Sequence, residues 1–103
     1  MHNKDTIAKI VKVLSSLNLM KMYIFGSQAK RSSRPGSDYD ICIILSREID
    51  KNNFLDEAYK KMWELRIPTD LLVFYEDEFL AQMYSVNTIP NEVVNTGQVI
   101  YAA

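Results

Sequence analysis

Two short apolar runs, Met22-Tyr23-Ile24-Phe25 and Ile41-Cys42-Ile43-Ile44-Leu45, each abut a residue with chemistry at its end: Gly26 closes the first and Asp40 opens the second. Runs of this length bounded by turn residues read as strands, which puts the polar segment between them at a sheet edge. That segment is Gly-Ser-Gln-Ala-Lys-Arg-Ser-Ser-Arg-Pro-Gly-Ser-Asp-Tyr-Asp. Residues i and i+2 of a strand share a face, so Asp38 and Asp40 present two carboxylates side by side while Tyr39 points the other way. Like charges that close repel unless a cation sits between them, and Mg2+ favours such oxygen ligands together with water and substrate phosphates. Taken alone, Ser-Asp-Tyr-Asp is as well explained as a polar turn that opens a strand, and Gly-Ser is weaker still. Their conjunction with two flanking strands points to metal-assisted phosphoryl or nucleotidyl transfer.

The periodicity supports this placement. Ile7, Ile10, Val11, Leu14 and Leu17 recur at spacings of three and four, which predicts an amphipathic first helix ended by Asn18. A strand over 21–25 is followed by the Gly26-Ser27 turn and a short helix over about 27–32, whose free N-terminal N–H groups stabilise an anion. Pro35-Gly36 breaks the chain before the second strand. Asn53 is the expected N-cap of a second long helix, with Leu55, Ala58, Tyr59, Met62 and Leu65 on one stripe and Pro68 beyond its end. Tyr59, Met62 and Trp63 read as core rather than as a platform for bases. A third strand over 69–75 alternates poorly, as expected if both its faces are covered. Glu76-Asp77-Glu78 reads as favourable charge at a helix start and not as a metal site. Thr88 and Pro90 suit the start of a last short helix and Gly97 its end.

Composition narrows the classes. The 103 residues read as one domain, 1–103, with 48% hydrophobic content that argues against disorder. The longest apolar run falls far short of the roughly 20 residues of a membrane span. No secretory signal is visible, so the expected location is the cytoplasm. Cys42 is the only cysteine, which leaves no intrachain disulfide and no thiolate cluster; in mid-strand it reads as a buried inert thiol. A net charge of -1 predicts no extended nucleic-acid surface. The positive charge is uneven, though: Lys30, Arg31 and Arg34 lie between the turn and the aspartates, where nucleotide phosphates need compensation, unless they form only a solvated helix and loop.

The pattern Gly-Ser, then Ala-Lys, then Gly-Ser-Asp-Tyr-Asp before a hydrophobic strand resembles the signature of the minimal nucleotidyltransferases, a branch of the DNA polymerase beta superfamily. The resemblance covers most of the chain and implies an α/β two-layer nucleotidyltransferase fold, a small mixed sheet with helices packed on it. It implies a third carboxylate, Asp70, within Pro68-Thr69-Asp70-Leu71-Leu72-Val73-Phe74. The family's closing segment matches Ile89, Glu92, Gly97 and Ile100-Tyr101. One departure is expected: Asn95 and Thr96 separate Gly97 from the preceding helix, where the family often has a Glu next to the Gly.

By the same resemblance, Asp38, Asp40 and Asp70 are the catalytic, metal-binding residues, holding two Mg2+ ions. Gly26, Ser27, Lys30, Arg31 and Ser37 bind the nucleotide, most simply ATP. In two-metal catalysis the ions lie about 3.5–4 Å apart and stabilise the entering and leaving oxygens. The implied reaction is transfer of AMP to a hydroxyl with loss of pyrophosphate. Minimal nucleotidyltransferases are commonly paired with a helical HEPN protein in toxin–antitoxin modules, and some adenylylate a tyrosine of that toxin. The expected function is therefore an adenylyltransferase antitoxin. Two alternatives stand beside it: a non-catalytic antitoxin that neutralises its partner by binding, and a nucleotidyltransferase acting on a small molecule or an RNA end. Homo-oligomerisation is left open.

Overall fold

The computed structural model describes residues 4–26 and 38–103. The order is α1 (Lys4–Leu14), β1 (Lys21–Phe25), β2 (Tyr39–Leu45), α2 (Lys51–Leu65), β3 (Thr69–Tyr75), α3 (Glu76–Gln82), α4 (Ile89–Thr96) and β4 (Gln98–Ala102). The strands form one sheet in the order β3-β2-β1-β4. β1 runs antiparallel to both β2 and β4, whereas β2 and β3 are parallel and joined by α2 as a βαβ unit. The result is the expected mixed α/β sheet. None of the described helices is long and apolar enough to cross a membrane.

Strand alternation divides the core in two. Met22, Ile24, Ile41, Ile43, Leu45 and Leu71 face α1 and α2, where they meet Ile10, Leu14, Phe54, Ala58 and Met62. The opposite face carries Phe25, Cys42 and Ile44, with Tyr23, Leu72 and Phe74 partly buried, against Phe79 of α3 and Val93 of α4. Phe79 stacks on Tyr23 with ring centroids 5.6 Å apart and meets Phe74 edge-on at 6.1 Å. β2, between two neighbours and two helical layers, is buried continuously from Ile41 to Leu45. β3 is equally apolar but lies at the edge, so only Leu71 is fully buried and the expected two-sided cover belongs to β2.

Several local expectations are corrected. α1 ends at Leu14, before Asn18, because Ser16 turns its hydroxyl back to the Val13 carbonyl at 2.6 Å and the chain closes in turns around Leu17. The cap of α2 is Asp50, not Asn53: the Asp50 carboxylate accepts from the Asn53 N–H at 3.1 Å. Of the three residues expected in the core, only Met62 is buried, while Trp63 is 84% exposed and Tyr59 also faces outward. The buried stripe runs Phe54, Ala58, Met62 at i, i+4, which leaves positions 59 and 63 on the adjoining flank. There the Tyr59 hydroxyl accepts from the Leu71 N–H at 3.1 Å, covering part of the open edge of β3.

The acidic run is, as expected, the first turn of a helix, and it is also tied down. Glu78 accepts from the Tyr75 N–H at 2.9 Å and pairs with Lys51 at 3.0 Å, while Asp77 takes a two-pronged contact from Arg47 at 2.9–3.3 Å. Hydrogen bonding to these cations and to backbone N–H groups holds the Asp77 and Glu78 carboxyls below their ordinary range. Both sit beyond the C-terminal end of β3, the end opposite Asp70.

Candidate active site

The antiparallel pairing of β1 and β2 sets Phe25 opposite Asp40, and the parallel pairing of β2 and β3 sets Asp40 opposite Asp70. Tyr39 opposes Thr69 and donates its N–H to the Pro68 carbonyl at 3.0 Å, which locks this register. A slip of one residue would turn every side chain to the other face. Tyr39 packs into the α1/α2 core, so Asp40 belongs to the opposite face, while Asp38 lies just before the strand and near enough to Asp40 to raise its carboxyl. Asp70, one residue from buried Leu71, shares that face with Leu72. The register thus brings Asp40 and Asp70 to one end of one face of the sheet, with Asp38 immediately before β2.

Gly26 follows Phe25 in the left-handed region, φ +74°, where glycine is at little disadvantage. A β-carbon there would overlap Asp40 Oδ2 and lie 3.2 Å from its carboxyl carbon. The glycine therefore supplies both the turn and the space that the Asp40 carboxylate occupies. Ser27, Lys30, Arg31, Arg34 and Ser37, with the short helix expected over 27–32, lie outside the described residues.

Asp40 is partly buried, whereas Asp38 and Asp70 are exposed. Burial pushes the Asp40 carboxyl above its ordinary range, and the negative fields of Asp70, Asp38 and Glu92 push it the same way. A carboxylate so placed is one that a cation relieves. Glu92 has no assigned role in the sequence reading beyond a match to the closing pattern; the tertiary structure brings it in, because α4 packs on β1 through Val93 and Phe25. That pattern was the one sequence signal that could have marked it.

The tight seat of α4 has a local cause. A β-carbon at Gly97 would meet the Val93 carbonyl at 2.6 Å, the Ile24 carbonyl at 2.9 Å and Phe25 Cβ at 3.2 Å. Gly97 N–H donates to the Val93 carbonyl at 2.8 Å and closes the helix directly, so Asn95 and Thr96 are the last turn of α4 and do not separate it from Gly97. The helix starts as expected, with Thr88 Oγ1 accepting from the Asn91 N–H at 3.2 Å and Pro90 in the first turn.

The donor set at this sheet end is hard oxygen throughout, which fits Mg2+ rather than a softer metal. Among the described residues, no group of three acidic, histidine or cysteine side chains is placed to hold a metal ion.

No curated protein matches the sequence. A toxin–antitoxin crystal structure with AMP-PNP superposes with a TM-score of 0.67 at 24% identity, covering 94% of this chain and 73% of that one. A Shewanella oneidensis complex of a tri-AMPylated HEPN toxin with its MNT antitoxin gives 0.63 at 20% identity, covering 97% and 72%. A candidate nucleotidyltransferase from Sulfolobus solfataricus gives 0.60 at 25% identity, covering 94% and 78%. Residues 8–103 match the family described as polymerase beta, nucleotidyltransferase, and the chain belongs to that family.

Proposed function

We propose that the chain is a Mg2+-dependent adenylyltransferase that moves AMP from ATP to a hydroxyl of a partner protein, a tyrosine of a HEPN-type toxin, and so acts as an antitoxin in the cytoplasm. One observation carries the reading: Asp40 faces Asp70 across a parallel strand pair, with Gly26 against its carboxylate and Asp38 two residues before it. Structural likeness to antitoxins solved with AMP-PNP and with an AMPylated toxin supports it.

Asp38 and Asp40 would hold the metal ions, joined by Asp70. Bound Mg2+ would supply charge compensation for the triphosphate and for the entering and leaving oxygens. Gly26 leaves room for the Asp40 carboxylate, and Gly26 and Ser27 would contact the terminal phosphates. Lys30, Arg31 and Ser37 complete the nucleotide contacts. Asp70, exposed at the strand end, orients the acceptor hydroxyl and can take its proton.

The test is incubation with labelled ATP, Mg2+ and a HEPN-type toxin. Wild type should add one or more AMP-sized masses to the partner, and Asp38→Asn with Asp40→Asn should fold yet transfer nothing. Rescue of growth by the double variant, with unmodified partner throughout, would replace catalysis with neutralisation by binding.

A further inference from the structure

The flank of α2 that stays out of the core, with Tyr59 and Trp63, forms one wall of a cavity of about 680 Å³. Arg66, just past the helix end, and Pro68 and Thr69, leading into β3, form the other. The size is that of a small-ligand site, and the lining is aromatic and apolar with Arg66 as its charged member.

The cavity is held in shape. Arg66 takes a left-handed φ of 57° and donates its N–H to the Trp63 carbonyl at 3.1 Å, which ends α2 and turns the chain back toward β3. The Tyr59 hydroxyl ties α2 to the Leu71 N–H. Glycine suits the left-handed position best, yet the chain places there an arginine whose side chain makes no ion pair among the described residues. A guanidinium and two aromatic rings around one space, with no carboxylate among the described lining residues, call for a flat ring that carries a negative neighbour.

Strand order decides what that ring belongs to. Gly26 at the end of β1, Asp40 at the start of β2 and Asp70 at the start of β3 form a row across three neighbouring strands, and the cavity ends at Thr69, the residue before Asp70. In transfer at phosphorus the entering and leaving oxygens lie roughly in line. With the terminal phosphates at Gly26, pyrophosphate leaves on the β1 side and the hydroxyl enters from the β3 side, whereas the ribose, attached at an equatorial position, lies off that line. Among the described strands β3 is the edge, so no further strand stands between the cavity and the approach to Asp70.

We propose that this cavity is the acceptor site: it takes a tyrosine side chain of the acceptor protein, its ring against Trp63 and Tyr59 and an acidic neighbour of that tyrosine on Arg66. The inference rests on the adenylyl-transfer reading and deepens it. The phenol oxygen forms a bond to the α-phosphorus of ATP, the bond from that phosphorus to the pyrophosphate oxygen breaks, and the phenol proton passes to Asp70 and then to water.

Trp63 is the only tryptophan of the chain, so its fluorescence reports on the cavity directly. Titration of the full chain with a blocked Glu-Tyr dipeptide should change that emission saturably, and Arg66→Gln should weaken the binding about threefold or more. Adenosine and AMP should leave the emission unchanged. With a HEPN-type toxin and labelled ATP, Trp63→Ala should raise the KM for the toxin roughly tenfold and leave that for ATP within about twofold, whereas Tyr84→Ala, which removes an equally exposed aromatic outside the cavity, should alter neither. Adenosine that changes Trp63 emission as the dipeptide does would assign the cavity to the base and overturn the proposal. So would unchanged emission with the dipeptide, or an unchanged KM for the toxin in Trp63→Ala. Saturable dipeptide binding without AMP transfer to the toxin would keep the tyrosine site and remove the transfer reading.

Discussion

Gly26 sits against the carboxylate of Asp40, with no room for a β-carbon between the end of β1 and the start of β2. Two effects separate in Gly26→Ala. The left-handed φ of 74° costs an alanine about 1–2 kcal/mol, whereas the overlap falls on the free end of the Asp40 side chain, which can rotate away. The variant should therefore lose about that much stability in urea denaturation and keep its fold, but Mg2+-dependent nucleotide binding, measured by calorimetry, should fall by more than tenfold. Wild-type binding would remove Asp40 from the site.

Asp40 also makes a pH-dependent prediction. Its folded carboxyl is raised above the unfolded value, by burial first and then by Asp70, Asp38 and Glu92. Between those two values the folded chain holds more protons than the unfolded one, so this contribution is most favourable at low pH and is lost as pH rises through the folded value. Asp77 and Glu78, whose carboxyls are lowered, slope the other way, and both variant and wild type share them. Asp40→Asn should thus match or exceed wild-type stability at neutral pH by up to about 0.5 kcal/mol, with the difference shrinking on acidification. Added Mg2+ should stabilise wild type and not the variant. Urea melts at a series of pH values check both statements.

Gly97 has an ordinary φ of -90°, so Gly97→Ala tests packing alone. The obstacles are the Val93 and Ile24 carbonyls, which are backbone and cannot swing aside. We expect a loss of about 1–3 kcal/mol in chemical denaturation. A neutral outcome would mean that α4 is free to lift off β1.

Cys42 lies fully buried in the centre of β2, and burial pushes its thiol up to about 12. Near neutral pH almost none of it is thiolate. Labelling by a thiol reagent should follow global unfolding, with a rate that rises with urea in step with the unfolding transition. Rapid labelling of the native chain would contradict its burial.

Much of the fold was written in local pattern. The strand over 21–25, the strand over 69–75, the acidic helix start and the last helix from Thr88 to Gly97 follow from runs, caps and breakers, because those signals act between near neighbours in the chain. Strand alternation also dictated that Asp40 takes the face opposite Tyr39. Failures were local competitions between equally good residues: Asp50 against Asn53 for one cap, and serine hydroxyls against Asn18 for the end of α1. β4 drew no strand prediction, since Gln98–Ala102 is short and becomes a strand by pairing with β1.

What the amino-acid sequence determined by itself was the chemistry on offer: two aspartates at a strand start, a Gly-Ser turn at a strand end, and a third aspartate in a later apolar run recognised by resemblance. Which of these meet was decided by tertiary structure. Strand order and register set Asp40 beside Asp70 across thirty residues of chain, put Trp63 outside the core, and drew Glu92 toward the aspartates. The physical reason is that periodicity fixes the face a side chain takes, while its neighbours across the sheet depend on how apolar faces are buried together, and that is a property of the whole chain.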